Sequence, residues 1–399
     1  MSFSVSSSTN GARSRRSLAI LGSTGSIGRQ AIEVVRRFPD LFQVDLLTAG
    51  CNADLLIEQA IELNPSRVVI ADSSVESKVR QSLAGLSIRV ESGAEALNES
   101  AAEPVDLVLA AMVGYAGLRP VLRAAEAGIP IALANKEALV VAGSLLTSTT
   151  RKTGAALIPV DSEHSAIFQC LEGEDKSTVQ ELILTASGGP FLDRPAGTFG
   201  AITRQEALAH PNWSMGSKVT IDSATMMNKG LELIEAHWLF GLPADDIRIL
   251  VHPQSIVHSM VLFMDGSIKA QLSMPDMQLP IQYALGYPTR LPSDRGRIDW
   301  DKITRFDFRA PDPARFPCIG MAYDALLRGG TAPAILNAAN EEAVALFLDG
   351  RIAFTEISEL IDDAISSVEV VDDPELEDLE NADANGRRRV KELKQAAPN

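Results

Sequence analysis

Cysteine is scarce: three residues in 399 (Cys51, Cys170, Cys318), an odd number at wide spacing. That excludes a disulfide framework and the paired spacing of a structural zinc site, and it fits a reducing compartment. Basic residues are in deficit too, 36 Lys and Arg against 52 Asp and Glu, for a formal charge of −16. A nucleic-acid partner is excluded on that ground, because phosphate affinity needs clustered cations. No apolar run approaches the ~18 residues of a membrane span, so no membrane insertion is expected. Histidine is limited to five residues, all between His164 and His258. The remainder is ordinary for a globular chain: 46% hydrophobic and 22% charged residues, in a length that allows two or three domains.

Residues 1–16 are rich in Ser, carry Arg13, Arg15 and Arg16 and contain no acid. They read as a disordered tail without the apolar core of a secretory signal. A cytoplasmic protein is expected, or one of the plastid stroma if the tail is the remnant of a transit peptide. From 17 to 155, apolar runs at Leu18–Leu21, Val44–Leu47, Val68–Ile70, Val105–Ala110 and Ile129–Leu133 alternate with helical periods such as Arg29–Arg37, Ala53–Leu63 and Leu118–Ala127. Such alternation predicts an α/β fold with a doubly wound parallel sheet, a Rossmann-like domain.

Residues 156–296 change texture. Two strand-like stretches, Glu181–Thr185 and Ile256–Met264, flank a Gly- and Pro-rich segment over 187–217 that reads as a lid. Residues 297–325 look like an extended linker. A C-terminal helical domain is expected over 326–399, with helices from Ala334 to Leu348 and after Thr355. Its last 49 residues hold 13 acids and 6 bases, so much of the negative charge is assigned to a solvated helical tail.

Five motifs carry chemistry. Gly22-Ser-Thr-Gly25-Ser-Ile-Gly28 follows the first strand and opens a helix, a setting in which backbone N–H groups cradle a pyrophosphate. At the end of the second strand, Leu47–Asn52 has no carboxylate for a ribose 2′-hydroxyl, which favours NADP over NAD. Asp161 and Glu163, two apart on a presumed strand after Val160, would point the same way and converge. Converging carboxylates call for a proton or a cation between them, and hard oxygen ligands suit Mg²⁺ or Mn²⁺; a lone D-x-E would otherwise be an exposed strand end. Glu232 supplies a third acid, on one helix face with Asn228 and beside Lys229.

The fourth motif pairs two loops: Ser187-Gly188-Gly189, which can offer donors to an anion, and His210-Pro-Asn-Trp213-Ser-Met-Gly216. His210 can donate to a phosphate or move a proton, or can be a turn histidine; Trp213 can cover an apolar substrate face or anchor a core. The other histidines read as structural: His237 in a helix, and His164, His252 and His258 near strand ends. The fifth is Asn135-Lys136-Glu137, at the carboxyl edge of the sheet where doubly wound folds bind ligands.

Taken together, LGSTGSIG (21–28), LANKEAL (133–139), PVDSEHSAIFQ (159–169), TASGGPF (185–191), HPNWSMG (210–216), DSATMMNKGLELIEA (222–236) and HPQSIVHSMV (252–261) resemble the 1-deoxy-D-xylulose 5-phosphate reductoisomerase family across nearly the whole chain. The resemblance implies a homodimeric enzyme of the non-mevalonate isoprenoid pathway. It would convert 1-deoxy-D-xylulose 5-phosphate to 2-C-methyl-D-erythritol 4-phosphate with NADPH and a divalent metal, Mg²⁺ or Mn²⁺, with Co²⁺ as a third candidate. Carried over by position, Asp161, Glu163 and Glu232 would ligate the metal. Ser187, Ser223, Asn228 and Lys229, with His210, would hold the substrate phosphate, and Ser162 and Lys136 the hydroxyketone end. Lys136, Glu232 and His210 would be the catalytic groups. Thr24, Gly25, Ser26, Ile27, Gly50, Cys51, Asn52, Asn135, Glu137 and Gly216 would line the NADPH site. The family often has Lys or Arg where this chain has Cys51, the position nearest the 2′-phosphate. The other readings are a simple NADP-dependent dehydrogenase of another phosphorylated substrate, and a nucleotide sensor without chemistry; the three acids argue against the sensor.

Overall fold

The computed structural model describes residues 15–396, apart from 212 and 214. The disordered tail expected over 1–16 lies outside the described residues as far as 14, and Arg16 already belongs to a strand. That strand, β1 (Arg16–Leu21), leads through α1 (Ser26–Arg37), β2 (Phe42–Ala49), α2 (Ala53–Leu63), β3 (Arg67–Ile70) and α3 (Glu76–Ser82) to β4 (Arg89–Ser92) and α4 (Ala94–Ser100). The alternation continues with β5 (Leu107–Ala110), α5 (Leu118–Glu126), β6 (Ile131–Leu133), α6 (Lys136–Thr153) and β7 (Leu157–Pro159). These strands pair in parallel in the order β4-β3-β2-β1-β5-β6-β7. Leu18 to Leu21 are all buried, as a central strand covered on both faces requires. The order reverses beside β1, which has β2 on one side and β5 on the other, so a crevice opens at the carboxyl ends there.

Next come α7 (Ser162–Leu171), β8 (Val179–Ala186), α8 (Arg204–Ala207), α9 (Ser217–Ala224) and α10 (Met227–Phe240). After them follow β9 (Ile247–Val251), β10 (Val257–Phe263), β11 (Ile268–Leu272) and α11 (Gln278–Gly286). The strands form a second sheet, β11-β10-β8-β9, in which β10 runs antiparallel to both neighbours. The segment after β8 is not featureless: Thr203 and Glu206 form a reciprocal capping box on α8. Helix α11 sends Ile281, Ala284 and Leu285 into the same core as Ala31 and Ile32 of α1. Arg16 Nη1 fastens that contact by donating to the Leu285 carbonyl at 2.7 Å.

The chain ends in α12 (Cys318–Arg328), α13 (Ala332–Leu348), α14 (Glu356–Ser367) and α15 (Leu376–Ala396). The extended linker expected over 297–325 therefore stops short, because Cys318, Ile319, Ala322 and Ala325 recur on one helical face and are buried. Helix α15 packs onto the domain through Leu379, Ala382 and Val390, while eight of the 13 acids over 351–399 stay exposed. No described helix is long and apolar enough to cross a membrane.

Candidate active site

A cavity of about 430 Å³ separates the carboxyl edge of the seven-stranded sheet from α9, α10 and the end of β8. The sheet side contributes Gly25, Ser26, Ile27, Lys136, Asp161, Ser162 and Glu163. The facing wall contributes Ser187, His210, Gly216, Ser223, Asn228, Lys229 and Glu232. Residues more than 200 positions apart in sequence thus meet around one space.

Asp161 and Glu163 reach it by a different route from the one expected. They do not continue a strand: β7 ends at Pro159, and Asp161 caps α7 with its Oδ1 accepting the Ser162 N–H at 3.0 Å. Glu163 stands in the first turn of that helix. A cap and a first turn crowd side chains round the helix N-terminus, so the two acids converge anyway. One carboxylate oxygen from each of Asp161, Glu163 and Glu232 lies within 4.8 Å of the others. The α10 helix is far from a surface helix, with Glu232 and Glu235 wholly buried.

Two ammonium groups thread this cluster. Lys136 Nζ is 2.5 Å from Asp161 Oδ2, 3.1 Å from Glu232 Oε1 and 2.8 Å from Asn228 Oδ1. Lys229 Nζ is 2.8 Å from Glu163 Oε1 and also bonds Glu232. Burial opposes the charge on Lys136, but the Asp161 and Glu232 carboxylates outweigh it and hold the amine well above its usual range. Burial likewise opposes ionisation of Asp161, yet Lys136 brings that carboxyl down to about 2. Glu232 is pushed the other way, up, by burial and by Glu163. Three hard-oxygen donors with surplus negative charge suit a divalent cation. Behind them stands His164, which lies in α7 and not at a strand end. Its Nε2 bonds the Glu232 carbonyl at 2.9 Å and its Nδ1 lies 3.3 Å from Glu235 Oε2.

The other end of the cavity presents hydroxyl and imidazole donors that suit an anion. Ser187 follows β8, and its Oγ lies 3.0 Å from His210 Nε2. The Trp213 N–H donates to His210 Nδ1 at 3.1 Å, which places the single proton of the neutral ring on Nε2, towards Ser187. Burial lowers the His210 pKa to about 4, so near neutrality the ring is an uncharged donor. Ser223, Asn228 and Lys229 line the same wall.

On the dinucleotide side, Gly25 is the N-cap of α1 with no side-chain cap of its own, and no acid occupies the first turn. A Cβ on Gly28 would come within 2.6 Å of the Ser23 Cα, so only glycine lets α1 pack this close to the turn. Thr24, Gly50, Cys51, Asn52, Asn135 and Glu137 fall outside the cavity lining. Thr24 stands in the β1–α1 turn, and Gly50, Cys51 and Asn52 are exposed beyond the end of β2, on the same sheet edge. Asn135 and Glu137 are buried beneath the cavity floor. Sequence reasoning missed Lys218, Met215, Ser255, His258 and Met277, which also line the space. Lys218, at i to Asp222 at i+4, left a trace as a helical ion pair; His258 was set aside as structural.

Family models for the 1-deoxy-D-xylulose 5-phosphate reductoisomerase match residues 18–143, and two C-terminal-domain models of that enzyme match 157–240 and 272–389. The reductoisomerase of Chloroherpeton thalassium is 54% identical over 94% of this chain and 97% of its own length. That of Bacteroides fragilis is 50% identical over 95% and 98%. Among solved structures, the Zymomonas mobilis reductoisomerase in complex with NADPH superimposes with a TM-score of 0.90 at 42% identity, covering 96% of this chain and all of that one. A DOX-P reductoisomerase in complex with NADPH, fosmidomycin and magnesium gives 0.91 at 41% identity, with the same coverage. The chain belongs to the 1-deoxy-D-xylulose 5-phosphate reductoisomerase family.

Proposed function

We propose that this cavity converts 1-deoxy-D-xylulose 5-phosphate to 2-C-methyl-D-erythritol 4-phosphate, with NADPH and Mg²⁺ or Mn²⁺. The observation that carries the reading is the triad Asp161, Glu163 and Glu232, set between a glycine-rich helix start and an anion-binding wall. Asp161, Glu163 and Glu232 would hold the cation. Bound there, the cation supplies Lewis acidity to a ketone and its neighbouring hydroxyl, and the nicotinamide supplies the hydride.

The chain's own groups do the rest. Lys136, kept charged by Asp161 and Glu232, donates to the substrate's ketone oxygen and steadies negative charge that develops there. The Ser162 hydroxyl, now bonded to Glu163 Oε2 at 2.6 Å, turns to a substrate hydroxyl. Ser187, Ser223, Asn228, Lys229 and the neutral Nε2–H of His210 grip the phosphate, so binding energy far from the reacting carbons fixes their geometry. Trp213, whose ring meets His258 edge-on at 6.2 Å, covers the substrate and keeps water out. Thr24, Gly25, Ser26 and Ile27 would take the pyrophosphate, and Gly50, Cys51 and Asn52 the adenosine side. A homodimer in the cytoplasm is part of the same reading, checked by sedimentation velocity.

The test is NADPH oxidation on deoxyxylulose phosphate with and without chelator, followed by product analysis. Metal-dependent turnover giving a branched skeleton is expected. An unbranched alcohol would leave a simple dehydrogenase instead.

A further inference from the structure

Lys218 is a largely buried cation, its side chain 15% exposed, that neither the sugar-phosphate nor the metal assignment uses. Its Nζ lies 2.9 Å from Glu137 Oε1 and 2.8 Å from Asp222 Oδ2. Glu137 is in the first turn of α6, at the sheet edge, whereas Lys218 and Asp222 are one turn apart on α9. The contacts run on in both directions. Asn135 Nδ2 bonds Glu137 Oε2 at 3.2 Å and the Met112 and Gly114 carbonyls at 2.9 Å each. Asp222 Oδ1 accepts from Asn340 Nδ2 of α13 at 2.8 Å. The next residue, Glu341, accepts the Tyr115 N–H at 3.1 Å, which closes the loop back to the sheet. One polar ring therefore ties the N-terminal sheet, α9 and the C-terminal helices together.

The ring closes where the segment after β8 rejoins regular structure. Gly216 and Ser217 precede Lys218, line the cavity and are themselves exposed, and the α9 N-terminus has no side-chain cap. Between Glu137 and Asp222, a single ammonium turns two buried carboxylates from mutual repulsion into a clamp. Without it, α9 and the turn ahead of it have reason to swing off the sheet edge.

We propose that Lys218 is a positioning residue that sets NADPH affinity, by pinning α9 and the Gly216–Ser217 turn against the sheet edge that receives the cofactor. Glu137, expected at the cofactor, then acts on it through Lys218 and Asn135. The inference rests on the NADPH reading above.

The experiment is a fluorescence titration of NADPH into the full-length protein without sugar phosphate, well below the thermal midpoint. Wild type, Lys218→Met, Lys218→Arg and Asn340→Ser are compared, each checked for native circular dichroism. Lys218→Met is expected to weaken NADPH binding about tenfold or more, Lys218→Arg to recover most of that, and Asn340→Ser to show a smaller loss. A purely structural lysine would lower the melting temperature and leave the dissociation constant alone. Folded Lys218→Met binding NADPH as wild type does, or Lys218→Arg losing as much as Lys218→Met, overturns the proposal. Should Lys218→Met not fold, unchanged affinity in Asn340→Ser overturns it. Wild type that binds no NADPH would instead sink the functional reading.

Discussion

Charge at the single residue decides most of what this site can do. Glu232 is wholly buried, shared by Lys136 and Lys229, and raised in pKa by its surroundings. Glu232→Gln keeps the shape and removes one carboxylate of the proposed metal set, so turnover should fall by about 10² or more, and isothermal titration should show weakened Mn²⁺ binding. Unchanged turnover would remove Glu232 from the metal set. His258 gives a second pH signature, at the edge of that cluster. Its ring bonds Ser273 Oγ at 2.8 Å and is packed by Trp213, with His252 and Lys229 as the nearby cations and cation precursors. Burial brings it to about 4 from the ordinary 6.5. Between those values the unfolded chain takes up a proton that the native ring refuses, so this residue costs stability as pH falls from 6.5 towards 4 and nothing above. Urea midpoints at pH 7.5 and 5 should differ less in His258→Gln than in wild type. Asp161 and Glu163 are legible as neighbours along the chain, whereas Glu232, about 70 residues on, joins them only through the family resemblance. His258 and the Glu137 side of Lys218 are not legible, since Trp213, Ser273 and Glu137 come from other segments.

At the scale of elements, the crossing of α6 and α10 sets the geometry of the cluster, because Lys136 opens one helix and Glu232 lies on the other. The two helices meet tightly at Gly143, where a Cβ would come within 2.2 Å of the Trp238 ring, next to the non-helical residue Ala142. Gly143→Ala should push α10 outward, costing about 1–3 kcal/mol in urea unfolding. Metal affinity should fall with it, although the residue touches neither ligand nor cavity. Stability without any change in metal binding would mean that the crossing is slack. The long periodic helices were legible in sequence: Ala53–Leu63 is a helix as read. The D-x-E pair was misplaced on a strand because a three-residue strand and a helix start carry too few residues for periodicity to separate them. Edge strand β4 went unread for a related reason, since Arg89-Val90-Glu91-Ser92 has a single buried apolar side chain.

Over the whole molecule, most acids of the C-terminal stretch are solvated, as the sequence predicts, but a few of them also pack the helices together. The C-terminal helix α15 crosses α13 closely, and Arg387 bonds Asp383 Oδ2 at 2.8 Å and Glu341 Oε2 at 2.6 Å. Burial works against the Arg387 charge, but its two acids hold it above the ordinary value. Glu341 in turn holds the Tyr115 N–H beside the sheet edge. The helical end of the chain thus braces the loop after β5, which sequence composition could not show, because acids and bases pair across 46 residues. Arg387→Met leaves the buried Asp383 and the partly buried Glu341 without their cation and should cost about 1–3 kcal/mol. The lost bracing should also reach the cofactor. Ligand that binds only the native state raises the melting temperature, and at a fixed concentration the rise grows with the logarithm of its affinity. Saturating NADPH should therefore stabilise wild type more than Arg387→Met in a thermal scan at matched concentrations. An equal shift in both would confine α15 to holding up α13, with no reach to the sheet edge.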